Sequence, residues 1–357
     1  LKKRSKKLLD VGAAPVVSAS LNDQKFFGSF FQKKNILPSL LTETRVQSWI
    51  MSEPYAGLQA QALGLAEAAG FAPETIALHP RFPWGWLPAA VWPAPLAAVG
   101  QKPLDGLVFT AGGTAGAVGA ALRRHGARVV QVQNPRMRLD RFDLVVANAH
   151  DGLSGPNVIT TRTALHRATP KRLAEARAAW MPRLAHLPRP LVAVLVGGSN
   201  GRFRLGAAEG EALACQLAGM MDADRVGLAL TPSRRTALAV RHILTERLVP
   251  RGAFVWDFAG ENPYFGLLAC ADAIVVTIDS ISMVSEAVAT DVPVFLAALP
   301  GRSVRIARFL DIMRAEGRVR PFAGRYEAFA ASALDDTPEV ASKVRRRLGF
   351  YDAPPVG

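Results

Sequence analysis

Cysteine is scarce: two residues in 357, Cys215 and Cys270, each inside an apolar stretch. That excludes a disulfide framework and suits a reducing compartment. The six histidines are scattered, and no cysteine–histidine cluster has the spacing of a zinc site. Neither glycine-rich loop of the chain is a GxGxxG. After Gly112-Gly113 the next strand ends in Gln131-Val132-Gln133, without the carboxylate that a dinucleotide ribose requires. A nicotinamide-dependent dehydrogenase or epimerase is therefore disfavoured. The uncharged run from Phe82 to Gln101 is long enough to cross a bilayer, but Pro83, Pro88, Pro93 and Pro95 interrupt it and would break a helix repeatedly. It reads either as a packed loop or, through Trp84, Trp86 and Trp92, as a patch that touches a membrane interface or a lipidic acceptor.

Positive charge is abundant, with 43 Lys and Arg against 29 Asp and Glu and a net charge of +14. Nine of these bases lie within residues 1–45, against three acids, and the rest are spread over helices as pairs such as Arg123-Arg124 and Arg234-Arg235. Aromatic residues are not interleaved with the bases as in RNA- or DNA-binding modules, so nucleic acid is not an expected partner. The surplus is read as solvated faces and a basic tail, with an anionic membrane surface or acidic ligand as the alternative.

Residues 1–44 lack sustained periodicity and read as a flexible basic extension, or as upstream sequence foreign to the domain. From residue 45 onward short apolar runs alternate with helical patterns, the pattern of parallel sheets covered by helices. Strands are expected near 45–51, 105–110, 127–132 and 142–147, with helices over 58–69 and 114–125. Together they form an N-terminal Rossmann-like domain over 45–167. A bridging helix and linker occupy 168–190. A second Rossmann-like domain fills 191–325, with strands near 191–196, 225–230, 253–256, 273–277 and 293–296. Residues 326–357 form a C-terminal helix and tail.

The two halves echo each other. LVFTAGGTAG (107–116) and VAVLVGGSNG (192–201) each place GGxxG directly after an apolar strand. Two such units imply two facing sheets with ligand in the cleft, because ligands of open α/β sheets sit beyond the carboxyl ends of the strands. Backbone N–H groups of Gly112-Gly113 or Gly197-Gly198 could approach a phosphate there, though a tight strand-to-helix turn needs glycine anyway. The second loop adds Ser199, Asn200, Arg202 and Arg204 as donors suited to a diphosphate. GGSNG also fits GxSxG, but Arg202 to Gly206 intervene before the helix, and the only later histidine, His242, falls on a predicted helix. A hydrolase elbow is disfavoured. Asp222-Ala223-Asp224 has DxD spacing, yet it lies at a helix end before a strand, where acids commonly occupy a solvated turn; no metal is expected.

The most informative stretch is DAIVVTIDSISMVSEAVATDVPVFL (272–296). A buried strand ends at Thr277, and Asp279, Ser280 and Ser282 fall on the turn into a helix. Hydroxyls there either cap the helix or hold a phosphate. Glu286, one turn deeper amid Val284, Ala287 and Val288, needs a donor. A ribose or Arg202 of the facing loop would serve.

With those residues in hand, the chain resembles the mitochondrial fission ELM family of plant and bacterial proteins from about residue 45 to 325. The likeness is carried by YAGLQAQALGLAEA (55–68), AGGTAG (111–116), VQNPR (132–136), HDGLSGPNVI (150–159), VGGSNGRFRL (196–205), ENPYFGLLACAD (261–272) and DSISMVSEA (279–287). The family implies an α/β fold of GT-B glycosyltransferase type, two Rossmann-like domains across a cleft. A more distant likeness is to the peptidoglycan N-acetylglucosaminyltransferase that makes lipid II. It implies a nucleoside diphosphate sugar as ligand, with no further cofactor, held by Gly197–Gly201, Ser280, Ser282 and Glu286. The first N-domain loop of that enzyme matches Tyr55 to Gln59, and Gly57, Gln61, Gly112, Gly113, Gln133 and Asn134 are the candidates on the N-domain loops. Leu58 stands where that enzyme has its acceptor-activating histidine. His150-Asp151, after the strand ending at Ala147, is a candidate replacement base, or else a structural turn.

Two functions follow as expectations. One is metal-independent glycosyl transfer from a nucleotide sugar to an unidentified acceptor, a lipid among the candidates. The other is a non-catalytic GT-B-shaped binding protein acting at a membrane or in organelle or cell division. The expected location is cytoplasmic, either free or peripheral on the inner face of the membrane. No protein partner is readable.

Overall fold

A computed structural model describes residues 46–350; the extension expected over 1–44 and the end of the tail lie outside the described residues. The first half forms β1 (Ser48–Ser52), α1 (Ala56–Ala68), β2 (Glu74–Ala77), α2 (Pro95–Val99), β3 (Leu107–Ala111), α3 (Gly113–Arg124), β4 (Arg128–Val132), β5 (Leu144–Asn148) and β6 (Val158–Thr161). These strands make one parallel sheet of order β2-β1-β3-β4-β5-β6. Side chains alternate across it. Ile50, Phe109, Val130 and Val146 pack on one face, and Met51, Val108, Val129 and Val145 on the other. Both faces are covered, so each central strand reads as a continuous apolar run.

α4 (Pro170–Leu184) then bridges to the second half. There follow β7 (Leu191–Val196), α5 (Ala207–Asp224), β8 (Gly227–Pro232), α6 (Leu238–Leu248), β9 (Phe254–Val255), α7 (Tyr264–Cys270) and β10 (Ala273–Thr277). The chain continues through α8 (Ile281–Val288), β11 (Val294–Ala297), α9 (Val304–Ala315), β12 (Val319–Pro321) and α10 (Thr337–Arg347). The second sheet is also parallel, ordered β12-β11-β10-β7-β8-β9. Counted within its domain that is 6-5-4-1-2-3, the doubly wound order whose switch point lies between the first and fourth strands. The expected two-domain α/β architecture of GT-B type is therefore present.

Two features differ from the expectation. β2, β6 and β12 were not anticipated, and all three are sheet edges. The C-terminal helix is not a free appendage: Val340, Ala341, Val344 and Leu348 join the core of the first domain beside Ala62, Leu65 and Phe71. Asp336, just before α10, fixes this return. Its buried carboxylate takes the backbone N–H of Arg162 at 2.5 Å and Arg162 Nη2 at 2.7 Å. Among the described residues, no helix is long and apolar enough to cross a membrane.

Candidate functional site

The loops after β7 and β10 meet at the switch point of the second sheet, and there the glycine reading needs correction. Thr277 Oγ1 accepts the Gly197 N–H at 2.8 Å. Asp279 Oδ2 accepts the Gly198 N–H at 3.1 Å and Arg235 Nη2 at 2.8 Å, while Oδ1 accepts the Thr277 hydroxyl at 2.7 Å. The Gly197 and Gly198 N–H groups expected to cradle a phosphate are thus satisfied within the protein, by the Thr277 hydroxyl and the Asp279 carboxylate. A Cβ on Gly197 would stand 2.2 Å from Asp279 Oδ1, so the glycine is required for this close approach. Ser199 Oγ exchanges hydrogen bonds with the backbone of Leu205. Asn200 Oδ1 accepts the N–H groups of Arg202 and Phe203, and its Nδ2 donates to the Asp279 carbonyl. Gly197, Gly198, Ser199 and Asn200 therefore build the loop, and only Arg202 extends from it into the cleft.

A cavity of about 350 Å³ opens beside that loop between the two domains. The starts of two helices line it: Ser280, Ile281 and Ser282 of α8, and Ser303, Arg305 and Ile306 of α9. Ser280 caps α8 through the Met283 N–H at 3.4 Å, and Ser303 caps α9 through that of Ile306 at 3.4 Å. First-turn N–H groups and the positive ends of both helices are thereby directed to one place. Arg136, Arg202 and Arg305 line the same cavity. Its one carboxylate, Asp279, is already paired with Arg235. The cavity is thus strongly positive, suited to an anion of more than one charge.

The N-domain contributes Gln61 and Gln133. Gln61 Nε2 donates to Ser282 Oγ at 3.1 Å, and Gln133 Nε2 donates to Gln61 Oε1 at 3.0 Å. Gly57 lies beside Ser282: a Cβ there would stand 3.4 Å from the hydroxyl oxygen. Gln133 (φ 67°) and Arg136 (φ 56°) both adopt the left-handed region without being glycine, a cost seen mostly where geometry serves a site. Beneath them, buried Gln131 ties the loops together, donating to the Gly112 and Val132 carbonyls and accepting from the Thr110 hydroxyl at 2.6 Å.

A second cavity, about 540 Å³, sits over the N-domain loops. Glu53, Gly112, Gly113, Thr114, Gln133, Asn134, Arg136 and Asp151 give it a polar floor; Leu58 and Leu87 to Ala90 give it an apolar wall. Arg305 also lines it. Asp151 has a 6 % exposed side chain and pairs with Arg305 Nε at 2.9 Å. Burial raises its pKa, opposed by the nearby charges of Arg305 and Arg136. His150 does not face the cavity. Its side chain is wholly buried, its Nε2 accepts from Arg305 Nε at 3.0 Å, and burial with the Arg305 charge pushes its pKa down to about 4. Of the pair expected to supply a base, only Asp151 reaches a cavity.

Glu286 lies one turn below Ser282 and is 8 % exposed. The donor it required is Tyr264, whose hydroxyl donates to Glu286 Oε2 at 2.5 Å. Burial lifts the carboxyl pKa to about 7, partly opposed by the Tyr264 hydrogen bond and by Arg172. The acids of the DxD spacing serve other ends: Asp224 binds Arg325 Nε at 2.8 Å and the Tyr326 N–H at 2.7 Å, and Asp222 faces Arg251 at 3.7 Å. The tryptophan patch is also revised. Trp86 is 84 % exposed beside Phe82 at 80 % and Val91 at 66 %, whereas Trp92 is buried with its indole N–H on the Leu87 carbonyl. Trp84 is half-buried.

Fold and site together define a two-domain Rossmann-like protein with a positively charged cleft between its domains. Over residues 56–348 the chain matches the family described as mitochondrial fission ELM1, and it belongs to that family. It is 31% identical over 272 residues to the mitochondrial fission protein ELM1 of Arabidopsis thaliana, a match covering 68% of this chain and 64% of that protein. An uncharacterized protein of Rickettsia prowazekii is 22% identical over 347 residues, covering 84% of this chain and 98% of the relative. Solved structures of similar fold include MurG of Acinetobacter baumannii, at 16% identity and a TM-score of 0.45, covering 85% of this chain and 90% of that one. Another is the UDP-GlcNAc 2-epimerase of Methanocaldococcus jannaschii, at 12% identity and a TM-score of 0.48, covering 85% of this chain and 99% of that one.

Proposed function

We propose that the cleft binds a nucleotide sugar and that the protein transfers the glycosyl group to a hydroxyl of an amphiphilic acceptor. The observation that carries this reading is the convergence of two helix N-termini with Arg136, Arg202 and Arg305 on one cavity. Two phosphates bound there would be neutralised by guanidinium groups and helix ends, without a metal ion. Glu286, one turn below Ser282, would take a ribose hydroxyl on the oxygen that Tyr264 leaves free. In the transfer step Asp151 accepts the proton of the acceptor hydroxyl as the new C–O bond forms. The bond from the anomeric carbon to the phosphate breaks, and its electron pair leaves with the nucleoside diphosphate. The test is thermal stabilisation by UDP, ADP, GDP and their sugar conjugates. At about a hundred times Kd, one of them should raise Tm by about 5 °C, and Arg202→Ala should reduce that shift by half or more. If none of them shifts Tm in the wild type, the cleft is not a nucleotide site.

A binding protein without catalysis is the second reading, favoured by Leu58, which puts an aliphatic wall in the acceptor cavity. Incubation with the stabilising nucleotide sugar and membrane-lipid extract separates the two, because only transfer releases nucleoside diphosphate.

The acceptor's apolar part is suggested by the loop that walls the second cavity, whose outer side exposes Phe82, Trp86 and Val91. Such a patch suits a bilayer surface. Phe82→Ser/Trp86→Ser should abolish flotation with vesicles containing phosphatidylglycerol while leaving Tm unchanged. Trp92→Ala should do the reverse, lowering stability by about 3 kcal/mol through the cavity it leaves. Equal flotation of wild type and the double variant would reduce the loop to ordinary packing.

A further inference from the structure

Arg305 lines both cavities. It is the second residue of α9, in the C-terminal domain, yet its guanidinium crosses to the N-terminal domain. There its Nε N–H donates to His150 Nε2 at 3.0 Å, and the same nitrogen stands 2.9 Å from Asp151 Oδ1 as an ion pair. The contact is one-sided: among the described residues, the two Nη groups of Arg305 have no hydrogen-bond partner, and its side chain is 43% exposed. Asp151 is held by that single ion-pair contact, and its Oδ2 is buried without a partner. A fork with its outer donors free, standing in a cavity that Arg202 and two helix N-termini also make positive, has a stronger acceptor to choose should a diphosphate enter. A phosphate offers it two charged oxygens in the bidentate geometry that a shared Nε contact lacks.

We propose that Arg305 is a positioning residue coupling the two cavities. With the cleft empty it neutralises Asp151; a bound diphosphate draws the guanidinium away and frees the carboxylate to take a proton from the acceptor hydroxyl. Donor binding thereby precedes activation of the acceptor, and the base stays masked until there is a glycosyl group to transfer. The inference rests on the reading of the cleft as a diphosphate site. By reciprocity, Asp151 competes with the diphosphate for the same guanidinium, so removing its charge must strengthen diphosphate binding.

Calorimetric titration of the whole chain with pyrophosphate and with UDP tests this. Arg305→Gln should weaken both by about tenfold. Asp151→Asn should tighten both by about fivefold, and Asp151→Ser, which also removes the charge, should do the same. In the Arg305→Gln/Asp151→Asn double variant the gain should vanish, because the competitor then has nothing to release. A structural role for Asp151 predicts weaker or unchanged binding in both single variants. If wild type binds and Asp151→Asn does not bind more tightly, or if the gain persists without Arg305, the coupling is refuted while the cleft reading stands. If wild type binds neither probe, the cleft reading fails and takes this inference with it.

Discussion

Asp279→Ala should cost the fold about 2–4 kcal/mol, the range expected when one partner of a buried, hydrogen-bonded ion pair is removed. Asp279 is 5 % exposed and serves three donors at once: the Gly198 N–H, the Thr277 hydroxyl and Arg235. Alanine leaves all three without an acceptor. Arg235 is the least affected, because its side chain is 45% exposed and water replaces the carboxylate there. The backbone N–H and the threonine hydroxyl are buried, and their loss sets the lower end of the range. Asp279→Asn keeps the shape and one acceptor oxygen for the Gly198 N–H and Arg235, while its NH2 can donate to the Thr277 hydroxyl, so it should cost about 1 kcal/mol. Gly197→Ala attacks the same arrangement from the other side, since its Cβ would collide with both carboxylate oxygens, and it should destabilise comparably. Urea unfolding measures all three variants. A loss below 1 kcal/mol for Asp279→Ala would mean that the loop after β7 does not depend on this carboxylate.

The same loop shows where sequence reasoning stops. The alternation of apolar runs and helical patterns located every central strand, because a strand covered on both faces must be apolar throughout. β2 and β12 escaped because each is a short, exposed edge strand. Glu74–Ala77 is largely exposed, and Val319–Pro321 buries only its first residue, so neither carries a two-sided signal. The return of α10 to the first domain was illegible for a different reason. Its apolar stripe, Val340, Ala341 and Val344, predicts a covered face but not which domain covers it. At the site, residue types were readable and pairings were not. GGSNG looks alike whether its N–H groups face a phosphate or Asp279, and only the fold brings a carboxylate 81 residues away into the loop. Tyr264 and Glu286 both lie in stretches that carry the family likeness, ENPYFGLLACAD and DSISMVSEA, so their pairing has a sequence signal. Arg305 carried no local signal at all: its meaning lies in the two cavities it separates.

Glu286→Gln should reshape the dependence of stability on pH. In the folded protein burial raises the Glu286 pKa to about 7, above the value near 4.3 of an unfolded chain. Between these values the folded state holds the proton more tightly, so this group favours folding at low pH, and its contribution declines as pH rises through about 7. The full decline is of the order of 3 kcal/mol. His150 acts in the opposite sense. Its folded pKa of about 4 lies below the ordinary 6.5, so the folded state resists protonation and stability is lost as pH falls from about 6.5 toward 4. The two effects oppose each other between about 4.5 and 6.5, and wild-type stability should be nearly flat there, with only a small further loss as Glu286 finishes ionising just above pH 7. Glutamine keeps the amide oxygen as acceptor for the Tyr264 hydroxyl and removes the titration. The variant should therefore be more stable than wild type at pH 8, and it should show an unmasked loss of stability on acidification from pH 6.5 that wild type lacks. Thermal unfolding of both proteins at half-unit intervals from pH 4.5 to 8.5 reads both signs. Parallel profiles would mean that Glu286 is already ionised in the folded protein at neutral pH. In that case the carboxylate, with Tyr264 as its donor, needs no ligand to complete it.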